Sequence, residues 1–120
     1  MGSSGSSESG PVDMEGPEAQ LVKDMIHDKT VIVFSKTFCP YCRKVKNLLD
    51  ELNAKYEVVE LDRRKDGKKL QAVLGKMTGA TSVVPRVFIM GEFIGGCDET
   101  LALHEKGGLI LKLQDANAIE

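Results

Sequence analysis

Two cysteines, Cys39 and Cys42, lie where a strand-like segment gives way to a helix-like one. The run Thr30–Phe34 is short, continuous and β-branched, which is typical of a buried strand. The segment Pro40–Asn53 instead places its apolar residues on one helical face, at Val45, Leu48, Leu49 and Leu52. The cysteine pair therefore begins a predicted helix immediately after a predicted strand.

The remaining apolar patterns predict a chain of alternating elements. Further helices are predicted over Pro17–His27, Lys68–Thr78, Asp98–Lys106 and Leu109–Ala116, and further strands over Tyr56–Leu61, Arg86–Met90 and Glu92–Ile94. Gly79 is expected to cap the third helix, and Gly91 to turn a hairpin. The first two strands are joined by a helix, so they should be parallel with a right-handed crossover. The sequence thus predicts an α/β fold: a mixed four-stranded sheet with helices on both faces.

Length and composition limit the classes of function. A chain of 120 residues suffices for one domain with one core. The formal net charge is −2, which gives no basic excess for a nucleic-acid partner. No apolar run approaches the ~18 residues that a membrane-spanning helix needs, so no membrane partner is expected.

The first residues, MGSSGSSESG, are rich in Ser and Gly and lack the apolar stretch of a signal peptide. They resemble an expression leader, so residues 1–16 are predicted to be a disordered leader or tag and residues 17–120 the folded domain. An odd number of cysteines, three, without a signal peptide argues against a secreted disulfide scaffold. We expect a cytoplasmic protein, with a mitochondrial location left open because a native targeting peptide could have been removed.

The cysteine pair has three possible roles: half of a zinc site, a structural disulfide or a redox pair. A zinc site needs four ligands, and beyond the pair the chain offers only Cys97, His27 and His104, none of them paired at short spacing. A structural disulfide would close a very short loop and constrain the unfolded chain little. A redox pair has a mechanism, so it is the interpretation that the residues favour.

The redox mechanism follows from the position of Cys39 at the start of a helix. Free backbone N–H groups and the helix dipole stabilise a thiolate there, and the charge of Lys36 acts in the same direction. Arg43 and Lys44 add positive charge, although an ordinary solvated surface is the better explanation for these two residues. Cys42 follows one helical turn later, which is the placement of a thiol that resolves a mixed disulfide.

At this point the sequence resembles a known family, the dithiol glutaredoxins of the thioredoxin fold. The resemblance extends over Pro17–Ala116 and is carried by four stretches: Cys-Pro-Tyr-Cys at 39–42, Ser-Lys-Thr at 35–37, Val-Pro-Arg-Val-Phe at 84–88 and Ile-Gly-Gly-Cys-Asp at 94–98. Thioredoxins proper carry Trp before Cys-Gly-Pro-Cys, and this chain contains no Trp. The resemblance therefore points to the glutaredoxins.

The resemblance implies the substrate and the roles of the site residues. Cys39 would be the nucleophile that takes the glutathionyl group, with Cys42 as the resolving thiol. Val84, before a cis Pro85, would pair its backbone with the cysteinyl part of glutathione. The other implied glutathione-binding residues are Lys36 and Gln71 at the glycine carboxylate, Gly96, Cys97, Asp98 and Glu99 at the γ-glutamyl end, and Tyr41 as a wall beside the sulfur.

Two positions depart from the family pattern. Val83 stands where the family usually has Thr, after a loop at 78–82 that is one residue longer. Glu99 stands where an Asp is often found. A lost hydroxyl and a longer carboxylate arm bear on how tightly glutathione is held, whereas the thiol chemistry does not depend on them.

The sequence thus predicts a glutathione-dependent thiol–disulfide oxidoreductase that reduces protein–glutathione mixed disulfides and low-molecular-weight disulfides. The expected partners are glutathione as co-substrate, glutathionylated proteins, and glutathione reductase with NADPH indirectly. We expect a monomer without a metal. Two alternatives remain at this stage: a glutathione-ligated iron–sulfur cluster carrier, and a redox module of a larger thioredoxin–glutathione reductase.

Overall fold

The computed structural model describes residues 12–79 and 84–120, and these contain five helices and four strands. The helices are α1 (Pro17–Asp28), α2 (Pro40–Glu51), α3 (Gly67–Thr78), α4 (Cys97–Glu105) and α5 (Gly108–Asp115). The strands are β1 (Val31–Ser35), β2 (Glu57–Glu60), β3 (Arg86–Ile89) and β4 (Glu92–Gly95). Every predicted element is present, with ends that differ by at most two residues.

The four strands form one mixed sheet in the order β2-β1-β3-β4. β1 and β2 are parallel, as the α2 crossover between them requires. β3 is antiparallel to both β1 and β4, and Gly91 turns the hairpin at a φ of 80°. The predicted mixed sheet, with one parallel pair and one hairpin, is confirmed.

Alternate residues of β1 supply the cores on the two faces of the sheet, since side chains along a strand alternate between faces. Val31 and Val33 belong to one buried cluster, with residues from α2 and α5 that include Val45, Leu49, Leu109 and Leu113. Ile32 and Phe34 belong to the other, with residues from α1 and α3 that include Ala19, Val22, Leu70 and Val73. Helices thus cover both faces, and β1 is buried along its whole length.

Two glycines fix the ends of α3. Gly79 follows the last turn at a φ of 80° and its N–H donates to Gly75 O, which confirms the predicted cap. Gly67 begins the helix, one residue earlier than predicted, and is buried against a short 3-10 turn at Leu61–Arg63. A Cβ at Gly67 would lie 1.8 Å from the carbonyl oxygen of Leu61, so only glycine fits there.

The described residues include the last part of the predicted leader, Val12–Gly16, whereas residues 1–11 lie outside them. Val12 and Met14 pack against the cluster formed with α1 and α3. The Met14 carbonyl also accepts a hydrogen bond from Lys23 Nζ over 3.0 Å. Packing onto the domain therefore extends to Val12, five residues before the predicted boundary at Pro17.

Candidate active site around Cys39

Cys39 lies at the N-cap of α2, as the sequence predicts. Its carbonyl accepts the first hydrogen bond of the helix, from Arg43 N–H over 3.0 Å, and Pro40 occupies the first turn. Its sulfur accepts a hydrogen bond from the backbone N–H of Cys42 over 3.2 Å. A thiolate at this position would receive that N–H together with the positive end of the helix dipole. Cys39 is partly exposed, so a disulfide in solution can reach it.

Cys42 is held in a different environment one turn further along α2. Its side chain is 0% exposed. Burial raises the pKa of the Cys42 thiol to about 11, and the hydrogen bond between this thiol and Cys39 adds to the rise. The backbone of Lys36 and the hydroxyl of Ser35 act in the opposite direction without cancelling it. Cys42 is therefore protonated at neutral pH, and its sulfur is not accessible from solvent.

The segment between β1 and Cys39 is tied to the turn that follows β2. Asp62 accepts hydrogen bonds from both the backbone N–H of Thr37, over 3.1 Å, and the Thr37 hydroxyl. The hydroxyl bond is the main reason that the pKa of Asp62 lies below its ordinary value. This double contact fixes the chain that carries Lys36 and Phe38 toward the nucleophile. Asp62 is not predictable from the sequence, because nothing local to residue 62 marks a contact 25 residues away.

The strand β3 brings a second backbone segment to the cysteine. The Val84–Pro85 peptide bond is cis, as the family resemblance implied. The carbonyl oxygen of Val84 lies 3.7 Å from the sulfur of Cys39, within reach of its S–H. Val83, the first departure from the family pattern, and loop residues 80–82 lie outside the described residues.

The third part of the site comes from the junction between β4 and α4. Gly96 precedes the first turn of α4, and its N–H donates to Oε1 of Glu99 over 2.8 Å. The carboxylate of Glu99 thus caps its own helix N-terminus. Cys97 is nearly buried, whereas Asp98 is exposed beside it. Burial raises the pKa of the Cys97 thiol, so this third cysteine is a poor nucleophile at neutral pH.

Beside Cys39, these segments enclose a groove of about 230 Å³. We call it the β3–α4 groove. Its lining consists of Tyr41, Val84, Pro85, Gly96, Cys97, Asp98 and Glu99. The structure therefore brings together seven of the nine predicted glutathione-binding residues. Lys36 and Gln71 are half-buried and do not line this groove.

Arg86 is a buried residue that holds one of the lining residues of the groove, Pro85. This role was not predicted from the sequence. The Arg86 side chain is 5% exposed and donates to the carbonyl of Pro85 and to the hydroxyl of Thr78, each over 3.2 Å. Desolvation lowers the pKa of Arg86, while the nearby charge of Glu99 partly offsets this. The guanidinium therefore ties the segment after the cis peptide to the end of α3. An arginine in a strand carries no sequence signal for this role.

Neither a metal centre nor a membrane-spanning helix is found in the described part of the chain. Within residues 12–79 and 84–120, no three His, Cys, Asp or Glu side chains are grouped so that they could hold a metal ion. None of the helices in those ranges is both long and apolar enough to cross a membrane.

Similarity to known proteins agrees with this geometry. A family model for glutaredoxins matches residues 31–94. A glutaredoxin from Ricinus communis is 52% identical over 97 residues, covering 81% of this chain and 94% of the relative. Glutaredoxin-C2 from Arabidopsis thaliana is 49% identical over 100 residues, covering 83% of this chain and 89% of that protein. The crystal structure of a buckwheat glutaredoxin–glutathione complex superposes with a TM-score of 0.82 at 42% identity, covering 86% of this chain and 93% of that one.

Proposed function

The chain belongs to the glutaredoxin family, and we propose that it is a glutathione-dependent thiol–disulfide oxidoreductase with Cys39 as its nucleophile. The observation that carries this proposal is the contrast between the two cysteines. Cys39 is accessible and accepts the N–H of Cys42, whereas Cys42 is buried with a raised pKa. Only one of the two thiols is presented to a disulfide substrate.

In the first step, the Cys39 thiolate attacks the glutathione sulfur of a protein–glutathione mixed disulfide. A new bond forms between Cys39 and glutathione, the old disulfide bond breaks, and the protein substrate leaves as a thiolate that takes a proton from water. The Cys42 N–H at 3.2 Å holds the attacking sulfur in place. Electrons balance because one disulfide is exchanged for another.

In the second step, free glutathione attacks the mixed disulfide on Cys39. Oxidised glutathione leaves, and the Cys39 thiolate returns. Glutathione reductase then reduces the oxidised glutathione at the expense of NADPH, so that enzyme is an indirect partner. In the dithiol route, the Cys42 thiol loses its proton and attacks the Cys39 sulfur instead, so that a Cys39–Cys42 disulfide forms and glutathione leaves as a thiolate. Two molecules of glutathione then reduce this disulfide and leave as oxidised glutathione.

Glutathione binding is assigned to the β3–α4 groove. Val84 would pair its backbone with the cysteinyl part beside Pro85, and Tyr41 would cover the sulfur. The backbone N–H groups at the start of α4 and the side chain of Asp98 would receive the γ-glutamyl end. A groove of about 230 Å³ lined by these residues supports this assignment. Lys36 and Gln71 would approach the glycine carboxylate from outside the groove lining.

The proposal is tested by two assays of the whole protein side by side. Reduction of hydroxyethyl disulfide is measured with glutathione, glutathione reductase and NADPH, and insulin reduction is measured with the same preparation. Turnover in the first assay with little in the second supports a glutathione-linked enzyme. The opposite result would assign the chain a thioredoxin-like activity.

The iron–sulfur carrier is the lesser candidate, and a visible absorption band after anaerobic purification would reverse that order. The cytoplasmic location and the monomeric state stay predictions. A fluorescent fusion of the native protein checks the location, and sedimentation of the reduced protein checks the oligomeric state.

A further inference from the structure

The residue that precedes the nucleophile, Phe38, has an aromatic side chain that is exposed to solvent. Phe38 is 90% exposed, the highest value among the large apolar residues that are exposed in the described ranges. Burying a side chain of this size against a partner is favourable, typically by about 1.5–3 kcal/mol for complete burial. Isolated exposed apolar residues are common, so the surroundings of Phe38 decide whether this one has a role.

Phe38 forms one wall of a second groove, of about 290 Å³, which is called the Phe38 groove below. Its lining consists of Phe38, Pro40, Arg43, Lys44 and Asn47. It shares no lining residue with the β3–α4 groove, although Phe38 and Pro40 are the chain neighbours of Cys39. The two separate grooves therefore take their linings from residues on both sides of Cys39 in the chain, with Phe38 and Pro40 in one and Tyr41 in the other.

The second groove combines an apolar wall with positive charge. Arg43 and Lys44 are exposed and have no ion-pair partner among the described residues. Lys46, on the same helix, shows the contrast, because it is paired with Glu60 over 2.9 Å. Lys44 Nζ lies 5.7 Å from the centre of the Tyr41 ring, which leaves its charge available to an incoming carboxylate.

The exchange reaction needs room for two groups at Cys39. Attack on a disulfide places the nucleophile, the central sulfur and the leaving sulfur in line. When the glutathionyl group enters the β3–α4 groove, the leaving polypeptide must extend away from that groove. The Phe38 groove is lined by the two chain neighbours of Cys39, Phe38 and Pro40, and remains available to this polypeptide.

We propose that the Phe38 groove binds the polypeptide part of a glutathionylated protein. The segment that fits places an apolar side chain against Phe38 and Pro40, and an Asp or Glu opposite Arg43 and Lys44. Its partner is thus an acidic, partly apolar segment around the glutathionylated cysteine. This inference rests on the proposed function and adds a preference among protein substrates.

The test uses two synthetic peptides, each glutathionylated on one cysteine and each with the same Leu next to it. One peptide carries Asp and Glu in the flanking positions, and the other carries Lys and Arg. We expect kcat/KM to favour the acidic peptide by about fivefold at low salt, as suits two exposed ion pairs, and by less at high salt. In the double variant Arg43→Glu, Lys44→Glu, the preference should invert.

The measured quantity is the ratio of kcat/KM for the acidic peptide to kcat/KM for the basic peptide, taken within each variant, so that changes in the reactivity of Cys39 cancel. Charge reversal in the first turns of α2 also changes the reactivity of Cys39, but that change affects both peptides equally. Lys55→Glu is the matched control, because Lys55 is exposed beyond the far end of α2. With 1.5 Å per residue, this 12-residue helix puts that end roughly 18 Å from Pro40. The peptide preference should be unchanged in this control.

The apolar wall is tested separately with Phe38→Ala and a third peptide, in which Ser replaces Leu in the acidic sequence. The wild-type protein should prefer the Leu peptide, and the variant should lose that preference. A small mixed disulfide of glutathione and 2-mercaptoethanol reports the glutathione chemistry without a polypeptide.

The outcomes separate the docking inference from the proposed function. A peptide preference near one in the wild-type protein, or one that persists in the charge-reversal variant, overturns the docking inference alone. If charge reversal instead slows only the reaction with free glutathione, the groove belongs to that second thiol, and the inference is wrong. Absence of turnover with every mixed disulfide, including the small one, overturns both.

Discussion

The backbone N–H of Cys42 donates a hydrogen bond to the sulfur of Cys39 over 3.2 Å, while the side chain of Cys42 is fully buried. One residue thus supplies a donor to the reactive sulfur and withdraws its own sulfur from solvent. The helix start explains both effects, because residues at the N-cap and one turn later share a face. The different roles of the two thiols therefore follow from the conformation of four consecutive residues, 39–42.

The buried thiol should make stability fall with rising pH. The pKa of Cys42 is about 11 in the folded protein and near 9.0 when unperturbed. Between these values the unfolded chain loses its proton first, so the folded state binds more protons and loses stability as pH rises. We expect the contribution of Cys42 to the free energy of unfolding to fall by about 1 kcal/mol from pH 8 to pH 10.

Urea unfolding of the reduced protein measures this effect against Cys42→Ser, which has no titrating thiol at that position. Tyr56, whose pKa is raised to about 12 mainly by burial, and the lysines are common to both proteins and cancel in the difference. A difference in unfolding free energy that stays constant from pH 8 to pH 10 would contradict the raised pKa of Cys42.

The spacing of apolar residues along the sequence predicts most of the helices and strands. The β-branched run before Cys39 and the one-sided apolar patterns of the helices determine the layers, since each element buries a face that the sequence displays. Element ends were less certain. The start of α3 at Gly67 depends on a contact with Leu61, a tertiary neighbour that no local pattern reveals.

The residues of the candidate site also fall into those that the sequence reveals and those that only the folded structure reveals. The family resemblance located Cys39, Cys42 and seven groove residues, because each lies in a recognisable stretch or, for Glu99, directly after one. Asp62 and Arg86 were missed, since their roles arise from partners that meet only in the folded chain, namely Thr37 for Asp62 and the Pro85 carbonyl with Thr78 for Arg86. Glu99 was expected at the ligand, whereas its carboxylate also caps the helix at Gly96.

The capping role of Glu99 should appear in stability. Glu99→Ala removes the acceptor for the Gly96 N–H, and we expect a loss of about 1 kcal/mol in the free energy of unfolding. Glu99→Gln keeps an oxygen acceptor of the same length without the charge, so it should retain most of the stability. Thermal or urea unfolding of both variants measures this. Equal losses in the two variants would show that the charge, and not the hydrogen bond, is what stabilises α4.

Gly67 should tolerate no side chain. In Gly67→Ala the new Cβ would meet the Leu61 carbonyl at 1.8 Å, so the turn and the helix must move apart. We expect a loss of about 2–4 kcal/mol in unfolding free energy, within the range of strongly destabilising substitutions. Gly91→Ala is the matched control: it has a φ of 80° but nothing within 4 Å, so it should cost about 1–2 kcal/mol. Equal costs for the two substitutions would mean that the Leu61 contact is unimportant.

The central claim is that Cys39 alone carries the glutathionyl group. The most direct measurement is intact-protein mass spectrometry of Cys42→Ser after one turnover with a glutathionylated peptide and no free glutathione. The account predicts one added glutathionyl group, located on Cys39 by digestion, and release of one reduced peptide per protein. Cys39→Ser should gain none. Transfer to Cys97, or a Cys42→Ser protein that accepts no glutathionyl group, would contradict the account.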